Sequence, residues 1–427
     1  MIYGHNILSE DDIVERIIAY ARNRIAAVRE EIARLKQSDF PYAHPREALN
    51  LLDDMFQKQD QVLGKISPTT PANVVNNACS VSLYQLYAYV PVLGFVLRST
   101  NVRNAFEVYA PLLRLARCVL GDDRKLVLSS EWEYSPFVYL PTNLPGFVLI
   151  GLPAPEAANP LLVSLAGHEL GHSVWSAERF DLRFNKAIED RVLDELTTKR
   201  WADYQALYPQ YTAAQVRTSD MFVRPTWVPA FTWALLQVEE IFCDFFGLRL
   251  FAESYLRAFE YLVSPGTSGM RSSNYPKLGR RLTHLKDAAQ KMGVDVQDGF
   301  GTDFMDEADP DEPATKLLVA IADDVSAGLV PELFELAMEV AERKGAPQRN
   351  ADYVRSICGN FSNWVVPITK NATLTDIVNA GWICYLNPDL WKDIPQFKPE
   401  EKDRVLKDLM LKSMETSEIY TRLGEPL

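Results

Sequence analysis

Histidine and cysteine are scarce in this chain, with five of each among 427 residues. The cysteines are odd in number, widely spaced and set mostly among apolar residues. Such a pattern argues against a disulfide framework and predicts reduced thiols in the core. They are Cys79, Cys118, Cys243, Cys358 and Cys384.

Basic residues are also in deficit. Lys and Arg number 44 against 57 Asp and Glu, so the formal net charge is −13 at pH 7. This charge repels nucleic-acid phosphates and anionic membrane surfaces, and we expect no nucleic-acid partner. The composition, 47% hydrophobic and 24% charged, is ordinary for a folded protein and excludes extended disorder.

A long uninterrupted hydrophobic run is missing as well. The most apolar stretch, residues 79–97, has polar residues in its first half, and Pro91 and Gly94 interrupt its second half. This favours a buried helix over a membrane span, so we expect no membrane association. The chain opens without a basic and then apolar leader and runs into the acidic residues 9–12, which indicates a cytoplasmic protein.

Two of the few histidines lie in one pentapeptide, where His168, Glu169 and His172 form the pattern H-E-x-x-H. Residues four apart in a helix lie one turn above one another, so both imidazoles can bind a single zinc ion. Glu169 can then serve as general base toward a zinc-activated water. Asn159 and Pro160 suit the N-cap and the first position of a core helix.

A catalytic zinc ion normally takes a third protein ligand. A histidine six residues after His172 is excluded, because that position is Glu178. An aromatic-rich helix predicted over residues 232–247 instead carries embedded acids. We predict that Glu240 is the third ligand, and Glu239, about 100° away around the helix, is the alternative.

Asp244 follows Glu240 by one helical turn, where it can accept the free N–H of a histidine ligand, with His168 preferred. This E-x-x-x-D pair after H-E-x-x-H resembles the gluzincins, the thermolysin-like zinc peptidases. The resemblance implies a zincin-like core with two site helices and a peptide or protein substrate. The connection between the two motifs is longer than in thermolysin, which predicts an insertion over residues 178–230 that shapes or covers the cleft.

Three short runs ahead of the motif are strand candidates: residues 125–129, 137–140 and 146–152. Peptidases of the resembling fold hold the substrate as an extra strand against an exposed sheet edge. A strand is therefore expected just before the H-E-x-x-H helix. Residues 146–152 are in the right place, and their sequence fits an edge strand and an ordinary buried strand equally well.

Residues 272–284 resemble the His/Tyr-Pro-x-x-x-x-R segment that follows the second site helix in several gluzincin families. This resemblance makes Tyr275 the first candidate for the donor that stabilises the oxyanion, with His284 as the alternative. Arg280 is expected to hold a substrate carbonyl or to support the site. Each of these three residues also fits an ordinary packed or solvated role.

Together these segments predict an α+β, mostly α-helical protein whose zincin-like core contains a small mixed sheet and two site helices. We expect a helical N-terminal region over residues 1–121 and the core over residues 122–300. An acidic linker or surface loop over residues 301–313 leads to a helical C-terminal region over residues 314–427. The predicted activity is zinc-dependent peptide hydrolysis.

Two other functions fit parts of the sequence. One is a zinc-binding scaffold without activity, although structural zinc sites close all four positions with protein ligands, and Cys243 is the only thiol near the motif. The other is a regulatory protease that resembles phage anti-repressor metallopeptidases, for which a small basic helix-turn-helix module would be expected. We find no such module in the sequence.

Overall fold

The computed structural model describes residues 10–67, 69–101, 105–132, 136–139, 144–156, 159–218, 220–264, 269, 271–305, 307–367, 371–392 and 398–424. Helices dominate these residues, and a small mixed sheet lies among them. The prediction of a mostly helical α+β protein is therefore confirmed.

The helices and strands follow one another along the chain in three groups. The first group is α1 Glu10–Leu35, α2 His44–Leu63, α3 Ala72–Arg98, α4 Ala110–Leu120, β1 Lys125–Glu131, β2 Phe137–Tyr139 and β3 Phe147–Pro153. The second is α5 Ala166–Glu178, α6 Phe180–Thr197, α7 Trp201–Leu207, α8 Ala213–Arg217, α9 Val228–Phe251, α10 Glu253–Val263 and α11 Leu278–Met292. The third is α12 Pro313–Ala327, α13 Val330–Arg343, α14 Ala351–Ser362, α15 Leu374–Tyr385 and α16 Pro399–Gly424.

The sheet has the strand order β1-β3-β2, with β1 parallel and β2 antiparallel to β3. Val138 pairs with Ile150, and Leu128 pairs with the same residue from the other side. The strand predicted at residues 146–152 is thus the buried central strand. Among the described strands, β2 forms the sheet edge nearest the H-E-x-x-H helix and is the strand that touches α5 most.

Each face of the sheet supports a different hydrophobic core. Val127 and Leu149 pack with the N-terminal helices α1, α2 and α3, whereas Leu126 and Ile150 pack with the rest of the protein. This division follows from the two-residue period of a strand, which sends alternate side chains to opposite faces. Helix α4 packs in the same core as Leu126 and Ile150, although residues 1–121 were expected to form one N-terminal region.

The C-terminal helices share the core of the predicted metallopeptidase region. Helices α12 and α13 pack along α9, and α15 covers the end of α9. There Thr375 donates its hydroxyl hydrogen bond to the Leu250 carbonyl at 2.8 Å, and Asn379 donates to the Phe251 carbonyl at 2.9 Å. These contacts satisfy carbonyls that a helix end leaves without an internal partner. The described helices of residues 122–300 and 314–427 therefore pack in one shared hydrophobic core.

Helices α5 and α9 cross at glycines. A Cβ atom on Gly171 would lie 2.8 Å from the Cα of Cys243, and one on Gly167 would lie 3.1 Å from the Cα of Gly247. Both distances are shorter than ordinary carbon contacts, so side chains at these positions would push the helices apart. The glycines let the two predicted site helices approach backbone to backbone.

Helix α3 contains the most apolar stretch of the sequence and is only partly covered. It is long and apolar enough to cross a membrane by length and composition, and 33% of its most apolar window is buried. One face packs against α1, α2 and β1, while Val81, Tyr84 and Tyr87 on the other face are 51%, 78% and 54% exposed. The expected buried helix is thus buried on one side.

Candidate metal centre

The H-E-x-x-H helix begins through a short 3-10 segment, Pro160–Leu165, that runs into α5. The side chain of Asn159 accepts a hydrogen bond from the Leu161 amide at 3.3 Å, and Pro160 takes the first position. The predicted capping residues therefore start the segment, although its first turn is 3-10 and not α. His168, Glu169 and His172 follow in the first two turns of α5.

Two imidazoles and one carboxylate converge where α5 meets α9. One ligand atom each from His168, His172 and Glu240 lies within 4.8 Å of the other two. The His168 Nε2 is 3.2 Å from one Glu240 oxygen, and the His172 Nε2 is 3.5 Å from the other. The geometry of the closer contact is not that of a hydrogen bond, and Glu240 Oε2 is buried without a hydrogen-bond partner among the described residues.

This arrangement fits a zinc ion. A buried carboxylate oxygen without a hydrogen bond is costly, and a metal ion placed between it and the imidazoles would satisfy it. Two histidines and one glutamate are also a donor set typical of catalytic zinc. His168, His172 and Glu240 are therefore the residues that would hold the metal, as the sequence predicts.

The outer nitrogen of each histidine is held by a carboxylate on α9. Asp244 lies 3.0 Å from the His168 Nδ1, the contact predicted for it. Glu239 lies 2.8 Å from the His172 Nδ1, so the residue considered as an alternative third ligand supports the second histidine instead. Such contacts fix the ring orientation and leave each Nε2 free to bind the ion.

Asp244 is itself held by two residues that the sequence analysis did not select. Arg281 donates two hydrogen bonds to it at 2.7 and 2.8 Å, and the Tyr255 hydroxyl donates a third at 2.7 Å. The Arg281 guanidinium also lies 5.0 Å from the Phe259 ring centre and 5.3 Å from that of Tyr275. These contacts hold a buried carboxylate in its charged form beside His168.

Arg280 does not reach the cleft. Its guanidinium pairs with Asp324 at 3.1 Å, because successive residues of α11 point about 100° apart around the helix. The pattern Tyr-Pro-x-x-x-x-R, counted from Tyr275 and Pro276, ends on Arg281, so that spacing was the available signal. Tyr255 lies outside every sequence motif.

His284 is half-buried on α11 and does not line the cleft, whereas Tyr275 does. Burial lowers the pKa of His284, and the charges of Asp244 and Asp287 only partly oppose that effect. Of the three residues considered as donors or substrate contacts, the structure brings only Tyr275 to the metal-binding group.

The centre is strongly negative. Burial lowers the pKa of His168, but the hydrogen bond to Asp244 and the close, negatively charged Glu240 outweigh it and raise that pKa to about 10. Arg281 and His168 hold the pKa of Asp244 below its usual range despite burial. Burial raises the pKa of Glu169. A field that favours a proton on His168 would also favour a divalent cation among the same atoms.

These residues line an open cleft of about 550 Å³. Strand β2 forms one wall with Phe137 and Val138, and Phe259 and Leu262 from α10 form another. Further lining comes from the segment around Tyr275 and from an acidic residue, Glu307.

The predicted acidic linker at residues 301–313 contributes to this cleft. The Ala308 amide donates to the Gly269 carbonyl, and the Arg271 amide donates to the Ala308 carbonyl, both at 3.1 Å. Asp309 lies 3.6 Å from the Arg271 guanidinium. The segment is docked by these contacts and, through Glu307, forms part of the cleft wall.

The predicted insertion at residues 178–230 has a different place from the one expected. None of its described residues lines the cleft, and α6 packs against α9 and α12. The buried face of α6 accounts for this position, because Phe184 on that face stacks on Trp175 of α5 with ring centres 5.6 Å apart. The insertion therefore buttresses the site helices from behind and does not cover the cleft.

Comparison with known proteins adds no relatives. No protein-family model matches the sequence, and no curated protein or solved structure is detectably similar to it. Functional inference for this chain therefore rests on the residues of the centre themselves.

Proposed function

We propose that this chain is a zinc-dependent peptidase of the gluzincin type, with α5, α9 and the small sheet as its zincin-like core. The observation that carries the proposal is the convergence of His168, His172 and Glu240 beside Glu169 in one open cleft. Three protein ligands leave a coordination position for water or substrate, which is the property that separates catalytic from structural zinc sites.

Zinc, when bound by these residues, supplies a Lewis acid that polarises a carbonyl and lowers the pKa of water. The chain itself supplies the proton carrier. Glu169 is 5% exposed and lines the cleft next to both histidines. In the proposed reaction its carboxylate accepts a proton from the attacking water and passes that proton to the leaving amine.

Tyr275 is the proposed donor to the oxyanion that develops on the substrate carbonyl. It lies in the cleft wall and is 41% exposed. The negative charge of Glu240, with burial, raises the pKa of Tyr275 to about 12. Its hydroxyl therefore keeps its proton at neutral pH and can donate a hydrogen bond.

Strand β2 is the proposed site of main-chain pairing with the peptide. Within the described residues it is an edge strand paired with β3, and Phe137 and Val138 line the cleft. An extended peptide can add to the edge of a sheet by main-chain hydrogen bonds. An extended substrate on this edge would run past Glu169.

A purely structural zinc site is not favoured by the geometry. Such a site needs a fourth protein ligand, usually from cysteine. Cys243 is the nearest thiol in sequence, but it lies against the backbone of Gly171 at the helix crossing. Within the described part of the chain, the group of potential ligands contains no cysteine.

The first experiment measures zinc per chain by mass spectrometry in the wild type and in Glu240→Ala. We expect about one zinc in the wild type, and a loss of zinc affinity in the variant that exceeds the roughly 10–100-fold typical of removing an outer partner. Full zinc retention by Glu240→Ala would remove Glu240 from the centre.

The second experiment compares hydrolysis of a peptide library by the wild type and by Glu169→Gln. Because the variant keeps the ligands but loses the proton carrier, zinc content should persist while turnover falls by about 10²–10⁴-fold. Equal cleavage by the two proteins at equal zinc content would contradict the role of Glu169.

A further inference from the structure

The cleft carries more negative charge than the metal centre uses. Four glutamates line it in the described part of the chain: Glu169, Glu239, Glu240 and Glu307. In the proposed reaction Glu169 carries the proton. Glu240 faces the two histidines, and Glu239 holds the outer nitrogen of His172. Of these four glutamates, Glu307 alone has no proposed role in the metal centre.

Glu307 is held in the cleft wall by its neighbours and not by its own side chain. The backbone bonds of Ala308 to Gly269 and Arg271 dock the segment. The Glu307 side chain is half-buried and has no hydrogen bond or ion pair with any other residue that the structure describes. A carboxylate that lines a cleft without a partner is available to a ligand.

Among the described residues that line the cleft, no cation is left unpaired to meet Glu307. Arg281 is the only lysine or arginine among the described lining residues. Its Nε and Nη2 donate to the two oxygens of Asp244, and Nη2 also approaches Glu240 at 3.9 Å. The described cleft wall therefore leaves the charge of Glu307 available to a cation of the ligand.

The cleft that Glu307 lines has many apolar residues. Leu262, Val263, Pro276 and Leu278 line the same cavity. Apolar walls lower the local dielectric constant, and this strengthens the attraction between a carboxylate and an opposite charge. The overall charge of −13 adds to the attraction for basic ligands.

We propose that Glu307 binds a cationic nitrogen of the substrate, so that the cleft selects peptides carrying a positive charge next to apolar residues. The nitrogen belongs either to a lysine or arginine side chain or to a free amino terminus, since both are ammonium-type hydrogen-bond donors. The inference rests on the proposed function in one respect, which is that the cleft accepts peptides.

The test is calorimetric binding to the zinc-loaded Glu169→Gln chain, which does not turn over its ligand. One probe set is acetylated, amidated hexapeptides of alanine and leucine with a single lysine at each position in turn, each paired with its norleucine counterpart. A second pair has no lysine and differs only in a free or an acetylated amino terminus.

For the favoured position or terminus, we expect the charged peptide to bind about tenfold more tightly than its neutral partner. Adding Glu307→Gln should bring that ratio close to one. Asp311→Asn, an exposed acid on the same segment outside the cleft, is the matched control and should keep the ratio. Zinc content and circular dichroism verify that each variant is folded.

A ratio that survives Glu307→Gln, or no preference for charge in any peptide, overturns the inference. Failure of the proposed function is seen separately, by cleavage of the same peptides by the wild type. Cleavage without a Glu307-dependent preference removes this inference and keeps the peptidase. A Glu307-dependent binding preference without cleavage keeps this inference and removes the proposed peptidase activity.

Discussion

Helices α9 and α3 are both long and apolar, but the more deeply buried one carries the charges. Helix α9 is buried from Glu240 to Phe251 and includes Asp244 and Arg249 within that stretch. Helix α3 has no charged residue before its last position, Arg98, yet leaves one face exposed. Apolar composition therefore does not decide how deeply a helix is buried.

The difference lies in how many elements surround each helix. Helix α9 is packed by α5, α6, α11, α12 and α13, whereas α3 is packed on one side by α1, α2 and the sheet. Burying charges is costly unless each has a partner. In α9 the partners come from other elements, above all Arg281 for Asp244 and the two histidines for Glu240.

The largest loss of stability is expected when a buried charge on α9 loses its partner. Replacing Arg281 by Met leaves Asp244 buried without its cation, so we expect a loss of about 3–5 kcal/mol in the free energy of unfolding. Arg280→Met is the matched control, because that arginine is 41% exposed and its pair with Asp324 is worth about 0–1 kcal/mol.

Urea unfolding of the two variants, followed by circular dichroism, measures the difference. Adding Asp244→Asn to Arg281→Met should recover part of the lost stability, since the unpaired charge is then gone. Equal destabilisation by Arg281→Met and Arg280→Met would show that the contact of Arg281 with Asp244 adds no more to the free energy of unfolding than an exposed ion pair does.

A smaller effect is expected at the crossing of α5 and α9. Gly171→Ala adds a Cβ atom 2.8 Å from the Cα of Cys243, and backbone must move to accept it. We expect about 1–3 kcal/mol of destabilisation and weaker zinc binding, because the ligands sit on both helices. Thermal unfolding and competition with a zinc chelator measure the two effects.

Gly359→Ala is the control for that substitution. Gly359 lies within α14, and a Cβ atom there would meet nothing within 4 Å. Its replacement should leave zinc binding unchanged and stabilise the helix by up to about 1 kcal/mol. Unchanged zinc affinity in Gly171→Ala would mean that the close crossing is not needed to assemble the centre.

The smallest effect is expected on the exposed face of α3. Tyr84 is 78% exposed, so Tyr84→Ser should change the free energy of unfolding by no more than about 0.5 kcal/mol. Denaturant unfolding at matched protein concentration measures it. A loss of several kcal/mol would reveal that this face is covered in solution, and the contrast with α9 would disappear.

The candidate centre divides into residues that local spacing predicts and residues that it does not. Asp244 was expected beside His168 because it lies one turn beyond Glu240, and the helical period applies wherever the helix is placed. Arg281 and Tyr255 meet Asp244 from other helices, and single-helix periodicity contains no information about such contacts. The choice between Arg280 and Arg281 is different, because the Tyr-Pro-x-x-x-x-R spacing counted from Tyr275 already ends on Arg281.

The larger segments show the same limit. Residues 178–230 were expected to shape or cover the cleft, and residues 301–313 were expected to form an acidic linker or a surface loop. The first packs behind the site helices and the second lines the cleft. Composition identifies an insertion or an acidic segment, but its position depends on which surfaces remain free once the core has packed.

By itself, the sequence determined the elements and the faces of the centre: H-E-x-x-H on one helix, E-x-x-x-D on another, and a strand between Pro145 and Pro153. These follow from helical and strand periods, which are properties of a few consecutive residues. The tertiary structure decided that β2 and not β3 is the cleft edge, that Arg281 neutralises Asp244, and that Glu307 faces the cavity. Such outcomes depend on contacts between residues far apart in the chain, made possible by the close crossing of α5 and α9.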